Sequence, residues 1–112
     1  MWIECKISTN DLLIFDKIKG FIEHTLFFRL VDKNDDNEKI LFLDIDSMSL
    51  DVPYIQKRIK NDFITIIISS IFSKEIIYNI LQEKNSSNIG FLRKDINYSQ
   101  FIDEVGNIID SS

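Results

Sequence analysis

Asp44, Ser69 and Lys94 are the residues from which chemistry could be built. Each follows a short apolar run: residues 40–43 lead into Asp44, 63–68 into Ser69, and 89–92 into Arg93 and Lys94. A carboxylate, a hydroxyl and an ammonium brought together can hold a phosphoryl group, the carboxylate as acceptor and the other two on its oxygens. Asp44 asks most strongly for an explanation. A carboxylate at the end of a strand buried on both faces must be solvated, paired or metal-bound, because bare burial is costly. Thr9, Asn10 and Asp11 stand at the corresponding place after a first, weaker strand.

These residues meet only if the strands run parallel with their carboxyl ends in one crevice, where ligands of open α/β sheets sit. The pattern supports that arrangement. Ile3, Cys5 and Ile7 alternate with Glu4, Lys6 and Ser8 as a strand. Leu13, Ile14, Ile18, Phe21 and Ile22 then follow at helical spacing over about 11–23, with Gly20 inside the helix. Residues 26–31 read as a second strand and 33–39 as a solvated loop. Residues 40–44 form the central strand, and a short helix containing Tyr54, Ile55 and Ile59 follows Pro53. A strand over 63–68, a helix over about 73–84, a strand over 89–92 and a closing helix complete the chain. Strands alternating with helices imply an α/β fold with a largely parallel sheet covered on both faces.

One connection is open to two readings. Eight residues, Asp32 to Lys39, separate Val31 from Ile40, fewer than the dozen or more that a parallel crossover with a helix takes. Extended, eight residues reach at most about 29 Å, enough for a bare parallel return across the first strand. The alternative is an antiparallel hairpin within residues 25–44.

Composition narrows the function. The 112 residues suffice for one domain, 1–112, and 45% hydrophobic with 28% charged residues describes a globular chain. Apolar runs are strand-sized, far below the ~20 residues of a membrane span. No basic-then-apolar leader opens the sequence, so a cytoplasmic protein is expected. A net charge of −5 argues against direct nucleic-acid binding. Cys5 is the only cysteine, in a strand pattern that makes it a buried, inert thiol. His24, the only histidine, falls at a helix end and is expected to cap it or lie on the surface. Trp2 and the nine phenylalanines are expected in core or edge packing. Asp35, Asp36 and Glu38 lack the glycine and distal glutamate of a calcium loop and read as a solvated stretch. Gly20, Gly90 and Gly106 stand too far apart for a phosphate loop. No general base and nucleophile pair is evident beyond Asp44, so an enzyme is not expected.

From the central strand onward the chain resembles the receiver domains of bacterial response regulators, the CheY-like superfamily. Leu43-Asp-Ile-Asp46 is similar to the motif carrying the phosphoacceptor, Ile66-Ile-Ile-Ser-Ser70 to the motif carrying the switch hydroxyl, and Gly90-Phe-Leu-Arg-Lys94 to the motif with switch aromatic and lysine. The Phe-Leu-Arg-Lys form is closest to receivers of LytTR-type regulators. The resemblance covers about residues 39–110. It implies a three-layer, flavodoxin-like sandwich around five strands, with Asp44 as phosphoacceptor and Ser69, Phe91 and Lys94 as switch or phosphate-contacting residues.

The departures are equally specific. Receivers carry an acidic pair after the first strand, which binds magnesium. Here Thr9 and Asn10 take those places, leaving Asp44, Asn10 and Asp11 as the candidate ligands of a weak or lost Mg2+ site. The usual Met-Pro after the acceptor motif is Ser47-Met48, and the proline after the lysine is Asp95. The second helix of the family cannot fit before the central strand. The expected protein is therefore a stand-alone receiver-like signalling domain of two-component or phosphorelay type. It would act on a protein partner, or through a homodimer, with no DNA-binding segment of its own. The alternative is a pseudo-receiver that works purely by protein–protein interaction, without phosphorylation.

Overall fold

A computed structural model describes residues 1–31, 37–83 and 87–111 of the chain. Its elements are β1 (Ile3–Ser8), α1 (Leu12–Glu23), β2 (Phe28–Leu30), β3 (Ile40–Asp44), α2 (Val52–Lys60), β4 (Ile64–Ile68), α3 (Lys74–Leu81), β5 (Ile89–Leu92) and α4 (Tyr98–Ser111). The five strands form one sheet in the order β2-β1-β3-β4-β5, and every neighbouring pair is parallel. This excludes the hairpin: β1 lies between β2 and β3, so the chain crosses it to reach the centre. Among the described residues no helix lies in that crossover.

Helix starts follow the side chains available to cap them. Asp11 Oδ1 accepts a hydrogen bond from Leu13 N at 3.0 Å, Asp51 Oδ1 from Tyr54 N at 3.2 Å, and Ser73 Oγ from Ile76 N at 3.3 Å. Asn97 and Gln100 cap each other's backbone at 2.9 and 2.8 Å before α4. His24 ends α1, with Nδ1 2.8 Å from the Gly20 carbonyl, the capping role expected of it.

Two apolar clusters sandwich the sheet. On one face Ile14, Ile18 and Ile22 of α1 and Phe101, Val105 and Ile108 of α4 pack on Cys5, Ile7, Phe42, Ile66 and Ile68. On the other, Ile55 of α2 and Ile77 and Leu81 of α3 pack on Leu41, Leu43, Ile67 and Ile89. Strands β3 and β4 are buried on both faces, as their unbroken apolar runs require. β1 contributes its Cys5–Ile7 side to the core; Glu4, Lys6 and Ser8 are half-buried, and Lys6 and Ser8 line a cavity with Tyr54 and Ile55 of α2. Burial pushes the Cys5 thiol up to about 12, which keeps it protonated and inert.

Several expectations need correction. The second strand starts two residues late, because Phe27 takes a left-handed backbone (φ 69°) that cannot continue a strand. Phe27, Phe72 and Trp2 are exposed instead of packed, Trp2 with the Arg29 guanidinium 5.8 Å from its ring. The helix expected to reach residue 84 stops at Leu81, where Gln82 turns left-handed and its N–H bonds back to Asn79 O. Glu38, read as part of a solvated loop, is fully buried and paired with Arg58. Asp35 and Asp36 lie outside the described residues.

Candidate functional site

Pairing aligns the strand ends. Asp44 registers with Ile68, and Ile68 with Leu92, so Asp44, Ser69 and the Arg93–Lys94 step leave the sheet at one level. The side chains converge, though not in the pattern expected.

Asp44 is fully buried. Its Oδ2 accepts hydrogen bonds from Thr9 Oγ1 at 2.7 Å and Ser47 Oγ at 2.9 Å, and Oδ1 accepts one from the Asp46 N–H at 3.1 Å. Lys94 Nζ lies 3.4 Å from Oδ1. Burial alone would raise the Asp44 carboxyl. The two hydroxyls, the Asp46 N–H and the Lys94 ammonium outweigh that and hold it below the ordinary carboxylate value.

Ser69 does not reach Asp44. Its hydroxyl donates to Asp46 Oδ1 at 2.7 Å, while the Ser70 N–H donates to Asp46 Oδ2 at 2.8 Å. Lys94 Nζ is 3.2 Å from the same Oδ2 and so bridges the two carboxylates. Burial opposes ionisation of Asp46 as well, and Ser69, Ser70 and Lys94 together bring its carboxyl below the ordinary value. The Lys94 ammonium, between two carboxylates, is raised despite its own desolvation. Ser69 Oγ also accepts from Ile71 N and Phe72 N at 3.0 and 2.9 Å, which fixes the loop into α3. The Lys94 backbone is held from two sides: its carbonyl accepts from Lys17 Nζ at 2.6 Å, and its N–H donates to Ser70 Oγ at 3.4 Å.

Phe91 stands on the α3 side of the sheet, half-buried, its ring edge-on to Tyr78 at 5.2 Å with Lys74 Nζ 5.8 Å from its centroid. With Ser69, Phe72 and Lys74 it lines a cavity of about 220 Å³ next to the crevice. Ser69 and Phe91 thus share a space even though they share no bond.

The candidate magnesium ligands do not assemble. Asp11 caps α1 through Oδ1, and the Asn10 side chain donates to Ser47 O at 3.0 Å, with its N–H on Ser47 Oγ at 3.0 Å. Among the described residues no three acidic, histidine or cysteine side chains gather as a metal group. Magnesium asks for near-octahedral oxygen ligands with carboxylate help. Here both Asp44 oxygens already accept hydrogen bonds, and an ammonium lies where positive charge is needed. The donor set does not fit the ion. Thr9, Ser47 and Asp46 complete the site; a serine three residues after an aspartate, and an aspartate two after it, were the available signals.

No protein-family model matches the sequence, and no curated protein matches it. Solved structures do. ChrA, the response regulator of a heme-sensing two-component system, superposes with a TM-score of 0.70 at 11% identity over 98% of this chain. The chain spans 58% of the length of ChrA. The signal receiver domain of NarL from Mycobacterium tuberculosis gives a TM-score of 0.72 at 15% identity, covering 99% of this chain and 98% of that one. The chain therefore shares the fold of these receiver structures, a flavodoxin-like three-layer sandwich. No helix among the described residues is long and apolar enough to cross a membrane.

Proposed function

We propose that this chain is a receiver-like signalling module of the cytoplasm that regulates a protein partner without phosphorylation and without magnesium. The observation that carries this reading is the state of Asp44: it is fully buried, with both oxygens engaged by Thr9, Ser47, Asp46 N–H and Lys94. A nucleophilic carboxylate needs a free oxygen in line with the incoming phosphorus, and a cation to neutralise the transferred charge. Neither is offered. The crevice instead works as a fixed ionic clasp that joins β1, β3, β4 and β5 at one end of the sheet.

Partner contact is best served by the surface beside that clasp. Ile71 and Phe72 in the loop, and Ile76 and Ile80 of α3, present apolar side chains to solvent as one run, the kind of patch that marks a protein–protein surface. A second copy of the chain is one such partner. The excess of acidic over basic residues disfavours direct binding to nucleic acid.

A phosphoacceptor Asp44 is the competing reading, favoured by the arrival of Lys94 at its carboxylate. Incubation with magnesium and a small phosphoryl donor such as acetyl phosphate separates the two. Intact-mass analysis is expected to show no phosphoryl adduct, and magnesium is expected to leave the melting temperature unchanged. An adduct that disappears in Asp44→Asn would overturn the proposal.

A further inference from the structure

Gly20 lies inside α1, where glycine is less favourable than alanine, yet its φ is not positive and a Cβ built there would meet nothing within 4 Å. Neither the backbone conformation nor the packing within the chain asks for a glycine at this place. What the missing side chain does is open the wall of a cleft of about 600 Å³ between α1 and the start of α4, the size of a small-molecule site. We infer that this cleft binds a small aromatic ammonium compound, its ring lying on Gly20 beside Phe21 and Tyr98 and its cation facing the Asp16 carboxylate.

Rings and charge decide the class of ligand. Phe21 and Tyr98 stand 5.6 Å apart at an interplanar angle of 48°, and the His24 ring is edge-on to Tyr98 at 6.3 Å. The Tyr98 hydroxyl donates to the His24 carbonyl at 3.0 Å, and His24 Nδ1 lies 2.8 Å from the Gly20 carbonyl, so the rings are set before any ligand arrives. Ring faces around open space accept a flat apolar body, and the negative potential over those faces attracts a cation. The two charged groups of the wall are not equally available. Lys17 Nζ is turned onto the Lys94 carbonyl at 2.6 Å, whereas Asp16 is exposed and its carboxylate has no ion-pair or hydrogen-bond partner among the described residues. The charge offered to an occupant is therefore negative, and the complementary ligand carries an ammonium. An anionic compound would meet Asp16 with like charge.

Three compounds built on one indole ring test the site: tryptamine carries a cation, indole no charge and indoleacetate an anion. Each is titrated into the isotope-labelled chain at constant ionic strength while the amides are followed by NMR. Tryptamine is expected to give saturable shifts at Gly20, Phe21, His24 and Tyr98 and to bind about tenfold more tightly than indoleacetate, with indole between them. Asp16→Asn is expected to remove most of that difference. Gly20→Leu is expected to raise the melting temperature, because leucine favours a helix, and yet to abolish the tryptamine shifts by filling the cleft. Gly106→Leu is the control: Gly106 of α4 also faces open space but does not line the cleft, so tryptamine should still bind. No saturation with tryptamine, equal binding of cation and anion, an undiminished preference in Asp16→Asn, or equal effects of the two leucine variants overturns the inference. Should Gly20→Leu fail to fold, the charge series in wild type and Asp16→Asn decides alone. The acetyl phosphate result bears on Asp44 and leaves this site untouched.

Discussion

At the amino ends of the strands, Arg58 and Glu38 meet at 3.3 Å with 4% and 0% of their side chains exposed. At the carboxyl ends, Lys94 lies between Asp44 and Asp46. The first pair is neutral overall and is served mostly through its cation: Arg58 Nε donates to Thr65 Oγ1 at 3.0 Å and Nη2 to the Ile64 carbonyl at 2.6 Å. Glu38 Oε2 has no hydrogen-bond partner among the described residues. The second cluster carries one excess negative charge, yet every carboxylate oxygen in it accepts a hydrogen bond, from Thr9, Ser47, the Asp46 N–H, Ser69 or the Ser70 N–H. Buried charge at the amino end ties α2 to the sheet. At the carboxyl end the excess charge is stabilised by neutral donors, in the place where a divalent cation would otherwise be demanded.

The sharpest way to separate the two ends is to remove one cation from each. Arg58→Met leaves Glu38 buried with no partner among the described residues and is expected to cost about 3–5 kcal/mol in denaturant unfolding. Lys94→Met leaves two carboxylates that keep their neutral donors, and about 1–3 kcal/mol is expected. If Lys94→Met proves the costlier, the clasp depends on its ammonium, and the contrast drawn above is wrong.

Acidification probes the carboxyl end through the lowered values of its two carboxylates. The folded-state values of Asp44 and Asp46 lie below the ordinary 3.8, so their contribution to stability is complete above that value and drains away as pH falls through the lower folded values. Lys94 is raised above 10.5, so its contribution is complete below that value and is lost only as pH rises through the higher folded value. Melting temperature should therefore be flat with respect to this cluster between about pH 5 and 10 and fall in acid. Asp46→Asn should weaken that acid limb; an unchanged limb would show that the carboxylates are not held as described. The smallest effect belongs to the exposed Arg29–Glu4 pair, 2.6 Å apart at the sheet edge. Arg29→Ala is expected to change stability by less than about 1 kcal/mol, a solvent-screened reference for the buried clusters.

Much of this was legible in the residues. Unbroken apolar runs marked β3 and β4 as central strands, and the residues within two places after each run landed at the crevice, which is why Asp44, Ser69 and Lys94 could be named in advance. The partners within the crevice were not legible. Whether Ser69 bonds Asp44 or Asp46 depends on how the chain turns after β3, and the turn places Asp46 towards β4. Asp11 misled because the same side chain serves a helix cap or a ligand set, and the cap is nearer. The Glu38–Arg58 pair escaped notice because Glu38 sits in a charged stretch, and its burial follows from where the crossover re-enters the sheet. Arg58 did carry a signal: it lies three residues after Ile55, on the inner side of α2.

The polar side of β1 bears on how this fold can vary. Glu4, Lys6 and Ser8 face the sheet surface that a helix between β2 and β3 would have to cover, and Arg29 on β2 pairs with Glu4 across that surface. Inserting an amphipathic helix into the crossover would give its apolar stripe no apolar floor, and the insertion would hang free or expose itself to association with other molecules. Restoring the helix requires rewriting the outward residues of β1 at the same time. Loop length and strand pattern are thus physically coupled. The charged, three-residue β2 that closes this side also guards the sheet against edge-to-edge growth.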